Sequence, residues 1–111
     1  MKIDSELLDR LTQQAKSNAR LRMNYDLRNS EKDLSQRMLN AVEPGTIMPI
    51  HRHPTTSITV VIIRGSIKYN FYDDNEILTE SVILDANGYD RAVQIEKNRW
   101  HNLESLESGS V

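Results

Sequence analysis

The stretch Gly45-Thr46-Ile47-Met48-Pro49-Ile50-His51-Arg52-His53-Pro54-Thr55-Thr56-Ser57-Ile58-Thr59-Val60-Val61-Ile62-Ile63-Arg64-Gly65 decides how this chain is read. Pro44-Gly45 before it is a turn signal, and a strand is expected from about Thr46 to His51. His51 and His53 stand at i and i+2. On an extended backbone they share a face, while Arg52 points to the other. Ile58–Ile63 is a β-branched run, the pattern of a strand buried on both sides. Arg64-Gly65 closes it.

The same alternation continues on either side. Upstream, Met38, Asn40 and Val42 alternate with Arg37, Leu39 and Ala41. Downstream, Ile67, Tyr69 and Phe71 alternate with Lys68, Asn70 and Tyr72. Asp73-Asp74-Asn75 is a tight turn and Ile77–Leu84 the return strand, so these two segments read as a hairpin. Asn87-Gly88 marks another turn, and Arg91–Glu96 and Trp100–Leu106 read as further strands. Residues 20–34 are polar and irregular, with one short strand around Leu21–Leu27. Residues 4–19 read as a helix: Asp4 or Ser5 caps it, Glu6 sits in its first turn, and Leu7, Leu8, Leu11 and Ala15 form one apolar stripe. A helix followed by about seven short strands predicts a mainly β, antiparallel sandwich or barrel. The length of 111 residues fits one domain, 1–111.

Composition narrows the chemistry. With 14 basic and 16 acidic residues the formal net charge is −2, which speaks against nucleic acid as partner. No apolar run approaches the roughly 20 residues that span a bilayer, and Met1–Glu6 lacks the apolar core of a signal peptide. A cytoplasmic setting without membrane attachment is therefore expected. The chain has no cysteine, so a transition-metal site must use His, Asp or Glu. There is no Gly-x-Ser-x-Gly elbow and no Gly-rich phosphate loop. The acidic hairpin tip at Asp73, Asp74 and Glu76 offers too few ligands for calcium.

The three histidines are then the main chemical signal. His101 lies 48 positions beyond His53, on a different strand, which a barrel can bring opposite the first pair. Imidazole nitrogens bind a transition metal at about 2.0–2.1 Å, and three of them leave coordination positions open. Imidazole suits zinc, iron, copper and nickel, so ligand type alone leaves the metal undecided. The bland alternative for a lone His-x-His is a pair of surface or ordinary core histidines.

The order Gly45, five residues, His51-Arg52-His53, then Gly65 resembles the first cupin motif, Gly-five residues-His-x-His-three or four residues-Glu-six residues-Gly. Glu96-Lys97-Asn98-Arg99-Trp100-His101 is similar to the second, Pro-x-Gly-x-x-His, with Glu96 in place of Pro and Asn98 in place of Gly. More narrowly, Gln36–Thr46 with Pro49 and His51-Arg52-His53-Pro54 resembles the WbuC family of small cupin-fold metalloproteins, often encoded among bacterial O-antigen and surface-polysaccharide genes. The resemblance implies a cupin-type antiparallel β-barrel (jelly roll) over 35–111 with one N-terminal helix and a last strand that is short or missing. It implies one divalent transition metal, zinc, iron, nickel or manganese, held by His51, His53 and His101. The motif's ligand Glu falls at Ile58, which cannot bind metal.

The expected function is a metal-binding barrel that acts on, or binds, a sugar or sugar-nucleotide intermediate of surface-polysaccharide synthesis. The alternatives are a non-catalytic metal- or carbohydrate-binding barrel and a three-His iron dioxygenase. No residue stands out as acid or base; Glu43 and Glu96 are the nearest carboxylates in sequence. Candidate substrate contacts are Arg37, Asn40, Arg52 and Tyr25, each with an ordinary surface or packing role as its rival. Arg37 and Asn40 are expected on opposite strand faces, lining one pocket only if a bulge intervenes. Tyr25 is placed as a donor at the barrel mouth and Arg52 at the rim for an anionic group. Trp100 is expected to pack away from His101. A homodimer is expected, through an apolar sheet face.

Overall fold

A computed structural model describes residues 1–111. The order is α1 (Ser5–Ser17), β1 (Arg22–Asp26), β2 (Met38–Val42), β3 (Ile58–Val61), β4 (Ser66–Tyr72), β5 (Leu78–Asp85), β6 (Ala92–Ile95) and β7 (Trp100–Ser105). The protein is mainly β with one helix, and all its strand pairs are antiparallel.

The strands do not close into one barrel. They form three separate ladders: β1-β2, β3-β6 and β5-β4-β7. The expected strand from Thr46 to His51 is absent. Pro49 has no N–H to give to a ladder, and the Thr46 hydroxyl is bonded to the Leu21 carbonyl at 2.7 Å. Only His51 pairs, through an isolated bridge to His101. No ladder joins β2 to β3. Across that gap only the last two residues make rungs: Val42 N–H donates to the Ser110 carbonyl (3.0 Å) and Ile63 N–H to that of Val111 (2.9 Å).

Two apolar clusters hold the layers. Leu7, Leu8, Leu11 and Ala15 of α1 pack on Leu39 and Ala41 of β2 and on Val111, with Met23 and Tyr25 of β1 against them. The opposite face of β2 sends Val42 into the second cluster, with Ile62, Ile67, Tyr69, Phe71, Leu84, Ile95 and Leu103. The β1-β2 pair thus has a helix side and an inner side, set by simple alternation.

The helix starts where Asp4 Oδ1 accepts from Leu7 N–H (3.0 Å) and ends at Ser17, two residues earlier than expected, because Asn18 turns extended. The Ile58–Ile63 run is not buried on both sides. Ile58 and Val60 pack inward against the core, while Val61 is 57% and Ile63 44% exposed. Nothing covers the outer face of the two-stranded β3-β6 sheet. The β4-β5 hairpin forms as read, with a register shift at Phe71/Tyr72. Gly65 has φ +83°, and a Cβ there would lie 2.8 Å from Ser110 Cα, so this turn requires glycine.

Candidate metal centre

His51 and His101 face each other as a hydrogen-bonded antiparallel pair. His51 N–H donates to the His101 carbonyl (3.0 Å) and His101 N–H to the His51 carbonyl (2.9 Å). Directly opposed residues of such a pair project to the same face. The ring centroids are accordingly 4.4 Å apart. His53, two positions on, brings its ring to 5.3 Å from His51 and 5.6 Å from His101. One nitrogen from each of the three imidazoles lies within 4.8 Å of the other two.

The tautomers suit a cation. His51 Nδ1 lies 2.9 Å from the Pro49 carbonyl and His101 Nδ1 2.8 Å from the Arg99 carbonyl. A carbonyl only accepts, so each Nδ1 carries the proton and donates. Each Nε2 is left with a free lone pair. This is the arrangement by which backbone carbonyls orient histidine ligands. Burial pushes the His101 imidazole below its ordinary pKa, and the charges of His51, His53 and Arg99 push the same way. The neutral, ligating form is therefore favoured. The donor set fits a transition metal: three imidazoles, two with tautomers fixed, around a shared centre.

The turn that delivers His101 explains a departure from the motif. Asn98, standing where the motif has Gly, takes φ +69°. Asn tolerates this left-handed conformation better than most side chains. Its N–H donates to the His53 carbonyl at 2.7 Å, tying the turn to the first histidine segment. Ile58, at the motif's Glu position, packs against the core.

The imidazoles open onto a cavity of about 1220 Å³. Arg37 and Asn40 both line it, against the expectation that they diverge. Arg37 precedes the first residue of β2, so strand alternation does not bind it. Its guanidinium donates to the Ser35 (2.9 Å) and Leu27 (3.1 Å) carbonyls and lies 3.5 Å from Asp33. Asn40 shares the inner face of β2 with Val42, and its Oδ1 is enclosed with no hydrogen-bond partner. Tyr25 is not at the mouth. It lies on the helix side of β1, against the α1 cluster. Arg52 lies outside, its guanidinium 4.2 Å from the centre of the Trp100 ring. Trp100 Nε1 donates to Asp74 Oδ1 (3.1 Å).

The sequence reading missed two residues of the inner wall, Arg22 and Asn24, which line the cavity on the face of β1 opposite Met23 and Tyr25. Alternation along Arg22–Asp26 puts these two on one shared face, and the packing of α1 on Met23 and Tyr25 makes it the inner one. Arg22 Nη1 donates to the Ile47 carbonyl (3.2 Å). Asn102 Nδ2 donates to that of Met48 (3.3 Å). Together they secure the unladdered segment that carries His51. Glu43 is turned away: its carboxylate accepts from Ser108 Oγ (2.5 Å) and Gly109 N–H (2.7 Å). Glu96 is exposed.

No helix is long and apolar enough to cross a membrane. No curated protein matches the chain. Among solved structures, TehB from Haemophilus influenzae is similar over 54% of this chain and 21% of its own, with 16% identity and a TM-score of 0.46. The chain thus spans about a fifth of that relative's length. The family described as a domain of unknown function (DUF6016) matches residues 3–84, well over half of the chain, and the protein belongs to that family.

Proposed function

We propose that the protein is a small metal-binding protein of the cupin type, in which His51, His53 and His101 hold one divalent transition metal facing a ligand cavity. The observation that carries this reading is the convergence of three imidazole nitrogens within 4.8 Å, two of them on rings held by backbone carbonyls. A bound ion would supply Lewis acidity to an oxygen of the ligand. The residues of the chain do the rest: they fix the ring tautomers, keep His101 neutral and shape the cavity. The resemblance to the WbuC family supports a sugar or sugar-nucleotide intermediate of surface-polysaccharide synthesis as that ligand, and a homodimer as the assembly. This part rests on analogy of family.

Binding without acid–base turnover is favoured by one further observation. Glu43 is spent on Ser108 and Gly109, so the carboxylate nearest in sequence to the first histidine pair is not aimed at the cation site.

Metal analysis of protein purified without added metal tests the reading. About one zinc, nickel, iron or manganese per chain is expected. Replacing His51, His53 or His101 by Ala should weaken retention by at least about 100-fold, since loss of a mere orienting partner already costs 10–100-fold. Protein that takes up none of these metals, or His→Ala variants that bind like the parent, would refute it.

A further inference from the structure

The inner face of β1-β2 carries polar groups that the protein leaves largely unpaired. Asn24 and Asn40 are direct cross-strand partners, and both line the cavity. No hydrogen bond joins their amides, and Asn40 Oδ1 is enclosed without a donor. A buried acceptor left unpaired is rare enough to need a reason, such as a ligand that completes it. Two positions from Asn24 on the same face stands Arg22. Its guanidinium has five N–H donors, one of them on the Ile47 carbonyl, and no carboxylate pairs with it. Of the other arginines of this wall, Arg28 is bound to Asp26 at 2.8 Å and Arg37 lies 3.5 Å from Asp33, while Arg20, like Arg22, has no carboxylate partner but is not on the β1-β2 face. Glu31 and Asp33 are the acidic residues on the cavity wall, and Asp33 is the one facing Arg37.

We propose that Arg22, Asn24 and Asn40 form a subsite for a small polyhydroxylated anion. Its carboxylate or phosphate oxygens accept from the Arg22 guanidinium. One of its hydroxyls donates to Asn40 Oδ1, and another accepts from the Asn24 amide. The inference deepens the proposed function and rests on that reading for the opposite, imidazole-lined wall.

Calorimetric titration of the zinc-loaded protein with D-glucuronate, glucose 6-phosphate and glucose tests it, with bound zinc measured on the same samples. A charged sugar should bind at least tenfold more tightly than glucose. Whichever of glucuronate and glucose 6-phosphate binds better identifies the anionic group. Arg22→Met should erase the preference for charge, and Arg22→Lys should restore part of it. Asn40→Leu should weaken sugar binding at least tenfold while raising the melting temperature, because it removes the orphaned acceptor. A merely structural amide would instead lower it. Equal affinity for glucose and both charged sugars, or Asn40→Leu protein that binds like the parent, overturns the proposal. Zinc retained without sugar binding sinks this subsite alone; sugar binding without zinc retention supports the subsite and sinks the metal reading.

Discussion

Tyr69 sits in the middle of β4 with 6% of its surface exposed. Burial lifts its phenol from 10.0 to about 12, since the low-dielectric core disfavours the phenolate. The fold therefore prefers the neutral form. Its contribution is fully present below pH 10 and is lost as pH rises through about 12. Tyr69→Phe keeps the ring but cannot ionise. Urea melts between pH 9 and 12 should show the parent losing on the order of 2–3 kcal/mol more than the variant. Other residues differ in how far their roles could be read in advance. The His51/His53 pair was legible because i and i+2 share a strand face. His101 was legible as a partner because it is the one other imidazole in a chain without cysteine and matches the second motif, but its bridge to His51 is a tertiary contact that local pattern does not state. The inner-wall roles of Arg22 and Asn24 and the helix-side place of Tyr25 depend on which face α1 covers, which alternation alone does not say.

Arg64, just past β3, links three elements. Its guanidinium donates to Asp9 (2.6 Å) and Thr12 (2.9 Å) of α1 and to the Gly109 carbonyl (2.9 Å). The Thr12 and Gly109 contacts are partly buried, whereas Asp9 is exposed, so they matter more than the Asp9 ion pair. Arg64→Met should cost about 1–3 kcal/mol in denaturant melts, with loss of helical signal ahead of loss of strand signal as α1 loosens first. Coincident loss of both signals with no change in stability would contradict this. The elements themselves were largely legible: the stripe of α1, the hairpin of β4-β5 and the short strands β6 and β7 follow from local pattern and turn chemistry. The strand that failed, Thr46–His51, failed for a local reason, Pro49. The two-sided burial expected for Ile58–Ile63 failed for a global one, since composition cannot say whether a second layer covers a sheet.

At the scale of the molecule, three ladders that do not join leave Val61 of β3 and Ile63 just beyond it turned outward. The expected homodimer would cover that face. Light scattering at micromolar concentration should give a particle of two chains, and Val61→Lys should shift it to one. A parent that stays monomeric throughout that range refutes the assembly. Mainly β architecture was written in the strand count, whereas the open gap between β2 and β3 was not, because edge pairing is settled by long-range contacts. The chain holds a single tryptophan. Trp100 is the neighbour of His101, is overlaid by the guanidinium between the other two histidines, and is pinned to Asp74. All indole fluorescence of this protein thus originates at the lip of the imidazole cluster. The molecule comes with a built-in optical gauge, whose colour and brightness track local rearrangement there without any dye.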